Sequence, residues 1–273
     1  MTRLDLLLVN APSRSGVYGD LAHLSAIEPP VWAGLIARYC LNRGFSVEIL
    51  DAEAEGLTVE QTAQRIVNAV PRLAAFCVYG HQPSASTQCL PAASAVARLV
   101  NGYSMPSDAA HILTLALGTH PSALPERTLR EEPFDYVCQG EGPKTIVPML
   151  ENLRREKPVH YTTPFTNDFQ WPMGLCHFTN GSMGRSRFGV PSNIADLDAE
   201  LPGQAWELLD LKKYRAHNWH LWTGDREGGY ASVQTSLGCP FRCIFCCINA
   251  PFTTGGEAPR LRKWSPMNVA DQI

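Results

Sequence analysis

Residues Leu73–Tyr79 read LAAFCVY, an apolar run with no charge and no interruption. A strand with one wet face alternates polar and apolar residues. A strand covered on both faces does not, and such strands belong to parallel sheets flanked by helices. Outward from this run, Leu4–Val9 (LDLLLV), Ser46–Leu50 (SVEIL), Ile112–Leu117 (ILTLAL) and Asp135–Cys138 (DYVC) supply four more strand candidates.

Helical patterns fill the gaps. Pro30–Arg43 opens on a proline suited to a first turn and stops at Gly44, a good C-cap. Thr58 predicts an N-cap with Gln61 completing a capping box, and Val59, Ala63, Ile66, Val67 and Val70 form one apolar stripe. Thr87–Val100 and Lys144–Arg155 add two helices, the second with Pro148 expected in its first turn. This alternation predicts an α/β fold: a doubly wound, Rossmann-like or flavodoxin-like parallel sheet of about five strands with right-handed crossovers. Ligands bind such sheets outside the carboxyl ends of the strands. The loops to watch are therefore 10–19, 51–56, 80–86, 118–122 and 139–143.

The expected organisation is a sheet domain over residues 1–155, an irregular proline- and glycine-rich linker over 156–229, and a new unit over 230–273. That unit begins with the short strand YASVQTSL at Tyr230. The net charge of -3 and the absence of a basic run give no electrostatic case for nucleic acid. The N-terminal apolar run is too short for a signal peptide and no apolar stretch is long enough to span a membrane, so the expected setting is the cytoplasm. Thiols stay reduced there, and a cysteine cluster reads as metal-binding or catalytic.

That cluster is Leu237–Phe252, LGCPFRCIFCCINAPF. Cys239, Cys243 and Cys246 in Cys-x-x-x-Cys-x-x-Cys spacing can hold three irons of a four-iron cluster, leaving the fourth open to substrate. Cys247 directly follows Cys246 and is poorly placed to reach that fourth iron. Structural zinc is the rival reading and calls for a second cysteine pair, which the sequence lacks. Cys40, Cys77, Cys89, Cys138 and Cys176 lie among apolar neighbours and read mostly as small buried hydrophobes.

LGCPFRCIFC resembles the cluster motif of the radical S-adenosylmethionine (SAM) superfamily. The resemblance implies that the three cysteines hold a 4Fe-4S cluster, that the open iron chelates SAM, and that reduction cleaves SAM to a 5′-deoxyadenosyl radical. Phe245 matches the position that packs near the adenine. RLRKWSPMNVADQI, at residues 260–273, resembles the family's arginine, Ser-Pro and first helix of a partial TIM barrel.

The N-terminal half lacks both the dinucleotide and the NTP glycine fingerprint. Its stretch at residues 115–153, LALGTHPSALPERTLREEPFDYVCQGEGPKTIVPMLENL, is similar to the second half of the cobalamin-binding domain that precedes many radical SAM domains. LLLVNAPS at residues 6–13 matches that domain's first strand and loop, with Asn10, and Asn193–Tyr214 looks like the linker such proteins carry. The resemblance implies that Gly118, Thr119, Gly140, Glu141 and Gly142 line a channel for the nucleotide tail of cobalamin, with His120 shaping it. The resemblance further implies, by position, that Tyr79, Gln82 and Ser84 contact the corrin and that His81 faces its lower side, without a direct bond to cobalt. The Asp-x-His-x-x-Gly motif is absent, so the expectation is base-off cobalamin with no histidine from that motif on cobalt.

The function so implied is a cobalamin-dependent radical SAM enzyme, most often a methyltransferase acting on an unactivated carbon. It would take a small-molecule substrate and a flavodoxin- or ferredoxin-type electron donor, with no nucleic acid and no membrane as partner. Cyclising or oxidising members, a cobalamin-binding module without activity of its own, and a plain electron-transfer protein are the alternatives. The stretch from Tyr230 to Ile273 is about one strand, one loop and part of a helix, whereas a full barrel takes about 200 residues or more. The expectation is an incomplete barrel.

Overall fold

The computed structural model describes residues 3–80, 86–103, 111–155, 172–179, 182–185, 189–216, 230–253, 258 and 260–273. Five parallel strands form the body of one sheet: β1 Leu6–Asn10, β2 Val47–Asp51, β3 Leu73–Val78, β4 Leu113–Gly118 and β5 Tyr136–Cys138. Two antiparallel strands, β6 Leu175–Thr179 and β7 Ser182–Arg185, extend it, giving the order β2-β1-β3-β4-β5-β6-β7. All five expected strands form, each within a few residues of its expected ends.

The linker expected over 156–229 is therefore not irregular throughout. β6 pairs with β7 on one side and, on the other, with the edge that β5 would otherwise expose, which satisfies that edge's backbone groups. Their runs are short, LCHFT and SMGR, and carry little apolar periodicity to read.

The sheet is covered on both faces. Leu6, Leu8, Leu73, Ala75 and Leu115 pack against α2 (Val31–Leu41) and α8 (Pro143–Arg155). Their neighbours Leu7, Val9, Ala74, Phe76 and Ala116 point the other way, onto α4 (Val59–Ala69) and α5 (Ser86–Gly102). Phe76 is wholly buried, and cutting it to alanine would cost about 3–5 kcal/mol. The continuous apolar runs of the strands follow from this two-sided burial.

Helix ends follow local chemistry. Thr58 and Gln61 form the reciprocal capping box expected. Val70 falls just past α4 in a left-handed conformation (φ 44°), so it closes the helix rather than extending its stripe. After α2, the Phe45 N–H bonds the Cys40 carbonyl and the Gly44 N–H that of Leu41, with Gly44 at φ 77°. This is a glycine-terminated Schellman turn. Pro148 lies in the second turn of α8 rather than the first, because the helix starts at Pro143. Short helices were not expected in the strand-end loops: α1 Arg14–Tyr18, α3 Ala52–Glu55, α6 Thr119–Ala123 and α7 Pro125–Glu131.

The C-terminal segment packs on the α2/α8 face. The linker turn α9 (Leu197–Glu200) receives Trp264, whose indole N–H donates to the carbonyls of Leu197 and Leu201. The strand expected from Tyr230 shrinks to β8, Ser236–Leu237. It pairs antiparallel with β9, Arg262–Lys263, and α10 follows at Pro266–Asp271, capped by Ser265. Among the described residues no helix is long and apolar enough to cross a membrane.

At the opposite end from the strand-end loops, Asp5 ties the sheet to α8. It is 4% exposed and accepts hydrogen bonds from the Ser46 N–H (2.9 Å), the Ser46 hydroxyl (2.8 Å) and the Arg154 guanidinium (3.0 and 2.7 Å). Burial alone would raise its pKa. The bonds from Arg154 and Ser46 outweigh burial and hold the carboxyl at about 2, below its usual 3.8. A carboxyl depressed on folding stabilises above its unfolded pKa and loses that contribution as pH falls through the folded one. The stability difference between wild type and Asp5→Asn, measured by urea unfolding, should therefore be constant near neutrality and shrink between about pH 4 and pH 2. A difference that does not change with pH would contradict this.

Candidate cofactor site

β1 and β3 are neighbours in the sheet, but the chain leaves them toward opposite faces, which opens a crevice at their carboxyl ends. A cavity of about 390 Å³ lies there. Asn10, Glu53, Tyr79 and Thr119 reach it from the ends of four strands, and Arg14 from α1. The C-terminal segment closes the other side with residues 232–234 and 236–238, Ile248 and Phe252.

The lining is unusually rich in unsatisfied polar atoms. The Tyr79 hydroxyl, the Thr119 hydroxyl and the Arg14 Nε and Nη1 are buried without a hydrogen-bond partner. Leaving a buried donor unpaired costs about 1–3 kcal/mol each, so a ligand that pairs them recovers that energy. Burial raises the Tyr79 phenol well above its usual range and pushes the Cys77 thiol up to about 12. Both stay protonated at neutral pH. The Tyr79 ring stacks on Trp32 with centroids 4.7 Å apart, and Trp32 in turn stacks on Phe252 at 5.9 Å.

A second polar layer supports this lining. The Arg14 N–H donates to the Glu53 carboxylate, whose other oxygen lies 3.5 Å from Arg14 Nε. Burial raises the Glu53 pKa against the pull of Arg14. Asn10 donates to Asp51 at 2.8 Å, and Tyr214, far along the chain, donates to the same carboxylate at 2.9 Å. Burial lifts Asp51 to about 6 despite these bonds. Sequence pattern places Arg14, Asp51 and Glu53 in the strand-end loops 10–19 and 51–56 but assigns neither them nor Tyr214 a role, because their partners lie across loops or across most of the chain.

The cysteine loop lies alongside. Cys239, Cys243, Cys246, Cys247 and Phe245 line a cavity of about 710 Å³ that Ala123 of α6 also borders. Ile248 lines both cavities, so the two abut. Phe245 is 89% exposed, available to stack on a ligand. Among the described residues no three His, Cys, Asp or Glu side chains converge on a single ion. Cys247 faces this cavity too, so setting it aside rests on its spacing alone.

Asn249 shapes the loop. Its carboxamide oxygen accepts the Cys239 N–H at 2.9 Å, while its nitrogen donates to the carbonyls of Cys239 (2.9 Å) and Phe241 (2.8 Å). One side chain thus fixes the turn around the first cysteine. Gly238 begins that turn at φ 83°, where a Cβ would collide with the Arg260 carbonyl oxygen. The five remaining cysteines are buried, as expected.

Asn10, Tyr79 and Thr119 thus gather at one cavity, and Cys239, Cys243, Cys246 and Phe245 at the other. Gly118, His120, Gly140, Glu141 and Gly142 line neither. Gly118, at φ 135°, lets β4 approach β3 so closely that a Cβ would strike the Val78 carbonyl. Gly140 and Gly142 face Val190 and Ile36 respectively. The His120 ring bonds the Thr87 hydroxyl at 2.8 Å, and burial lowers its pKa. Glu141 bonds the Ile194 N–H and Arg262. His81, Gln82 and Ser84 lie outside the described residues.

The chain is similar to several known proteins. Residues 19–149 match the family model of the B12 binding domain. An uncharacterized methyltransferase of Pyrococcus horikoshii is 25% identical to this chain over 92% of the chain and 47% of its own length. The anaerobic magnesium-protoporphyrin IX monomethyl ester cyclase of Synechocystis is 28% identical over 80% and 38%. Among solved structures, the radical SAM methyltransferase TsrM of Kitasatospora setae, with cobalamin and a [4Fe-4S] cluster bound, superposes with a TM-score of 0.60. It is 18% identical, over 100% of this chain and 46% of its own. The chain thus spans less than half the length of these relatives.

Asn249 offers a direct test of the loop geometry. Asn249→Ala removes three hydrogen bonds, worth roughly 3 kcal/mol in all, from the turn that presents Cys239. After anaerobic iron–sulfide reconstitution and desalting, this variant should retain severalfold less iron than wild type. Equal iron retention would contradict the assigned role.

Proposed function

We propose that this chain carries the cobalamin- and cluster-binding portion of a radical SAM enzyme that transfers a methyl group to an unactivated carbon of a small molecule. The observation that carries the reading is the juxtaposition of the two cavities across Ile248, one bordered by unpaired polar groups and the other by thiols. Bound together, a reduced 4Fe-4S cluster, SAM and cobalamin supply radical hydrogen abstraction and methyl delivery.

The residues divide this work. Cys239, Cys243 and Cys246 would ligate the cluster, Asn249 holds their loop, and Phe245 would pack on the adenine. Arg14, Tyr79 and Thr119 would donate hydrogen bonds to the carbonyls of corrin amides. Glu53, beside Arg14, supplies an acceptor for the same amide's N–H, so the pair suits a neutral carboxamide better than an anion. Cobalamin would bind base-off, with no histidine from an Asp-x-His-x-x-Gly motif on cobalt. A flavodoxin or ferredoxin would supply electrons. Five thiols buried as small hydrophobes suit a reducing compartment such as the cytoplasm.

The methyltransferase relative and TsrM support methyl transfer. The cyclase relative supports a second reading, a non-methylating cobalamin enzyme. Product analysis separates the two: methyl transfer yields both 5′-deoxyadenosine and S-adenosylhomocysteine, whereas the second branch yields deoxyadenosine without S-adenosylhomocysteine.

Binding can be tested before turnover. Reconstituted wild type and Cys247→Ala should hold about four irons per chain, and Cys243→Ala should not. Adding SAM should change the EPR signal of the reduced cluster; an unchanged signal would indicate a closed electron-transfer cluster instead. Arg14→Ala should weaken hydroxocobalamin binding about tenfold or more through the loss of a buried donor. Undiminished affinity would remove Arg14 from the site.

A further inference from the structure

Glu141 lies in the turn between β5 and α8 and is 6% exposed. One carboxylate oxygen accepts the Ile194 N–H at 2.6 Å, and the other accepts the Arg262 guanidinium at 2.5 Å. A second Arg262 nitrogen donates to the Ile194 carbonyl at 2.5 Å. The three residues close a ring, and the ion pair within it is buried at Glu141 and largely shielded at Arg262, with side-chain exposures of 7% and 11%. Breaking such a pair from one side leaves an uncompensated buried charge, which costs far more than an exposed pair is worth.

What this ring holds gives it a consequence for the site. Arg262 belongs to β9, and its partner in the ladder is Leu237 of β8. Gly238 then turns the chain and Cys239 follows. The far end of the cysteine loop enters the same knot. The Phe252 carbonyl accepts from the Asn193 side chain at 2.7 Å, and the Arg262 guanidinium lies 5.2 Å from the Phe252 ring centroid. Both ends of loop 239–252 are thereby tied to one carboxylate on the sheet domain.

We propose that Glu141 is a positioning residue: through Arg262 it sets where the cysteine loop stands relative to the strand-end cavity. Its side chain serves the junction between the two cofactor-bearing parts rather than either cofactor. The docking depends on no cofactor; only its consequence for the spacing of cluster and corrin rests on the function proposed above.

Native-state hydrogen exchange on the full 273-residue chain without cofactors tests the docking. In Glu141→Gln, protection of the Cys239, Cys246, Phe252 and Trp264 amides should fall about a hundredfold, while Leu6 and Leu73 in the sheet keep wild-type protection. Arg262→Met should do the same. The double variant E141Q/R262M leaves no buried unpaired charge and should regain part of the protection lost in either single variant. A turn-stabilising role for Glu141 alone would show no such recovery. Unchanged loop protection in E141Q, equal loss in the sheet, or a double variant no better than the sum of the singles would overturn the proposal. If the exchange pattern holds but the chain binds neither cofactor, the functional reading fails and the latch stands.

Discussion

The strand order β2-β1-β3-β4-β5 constrains everything else in this molecule. Adjacent parallel strands whose connections run to opposite faces cannot cover the gap between their carboxyl ends with their own loops. Here that gap lies between β1 and β3. It collects Asn10 and Tyr79 from those two strands, and Glu53 and Thr119 from the strands outside them. A continuous apolar sheet fixes the floor, so chemistry can enter only through the loops and through whatever the rest of the chain lays across them. The Tyr79 and Thr119 hydroxyls and Arg14 Nη1, buried without a hydrogen-bond partner, are where the fold leaves polar capacity unused.

The segment laid across the gap is the cysteine-bearing one, and it is attached by a few buried polar contacts rather than by a broad sheet. β8 and β9 are two residues each. Their position is set by the Trp264 indole on α9, by Asn193 on Phe252, and by the Glu141–Arg262 pair. Gln204 adds a further tie: it fits against Gly34 of α2, where a Cβ would crowd it, and donates to the Ser232 carbonyl at 2.8 Å. Contacts of this kind are directional and short-ranged, so they specify geometry more sharply than apolar packing alone. The linker from Asn193 to Tyr214 is thus a bracket between the sheet and the cysteine loop, not a passive tether.

Sequence reasoning recovered the parts whose causes are local. Two-sided burial makes β3 and β4 read as unbroken apolar runs, and Thr58–Gln61 is legible because a capping box spans one helical turn. The cysteines are legible because cluster ligation imposes a spacing. β6 and β7 were missed because a short hairpin added to an edge has little periodicity. Arg14, Asp51, Tyr214 and Asn249 matter through partners that only the folded chain supplies. Glu141 shows how the two kinds of reading diverge. Its glycine-flanked position is conspicuous in the sequence, yet its carboxylate is engaged by Arg262, 121 residues away.

We propose that one chain holds a corrin and an iron–sulfur cluster side by side, across Ile248. The most direct measurement is pulsed EPR on the reconstituted, cobalamin-loaded chain with both centres poised in their paramagnetic states. The account predicts magnetic coupling between the two centres, with each signal altered by the presence of the other. Two signals that match those of samples carrying either cofactor alone would contradict it.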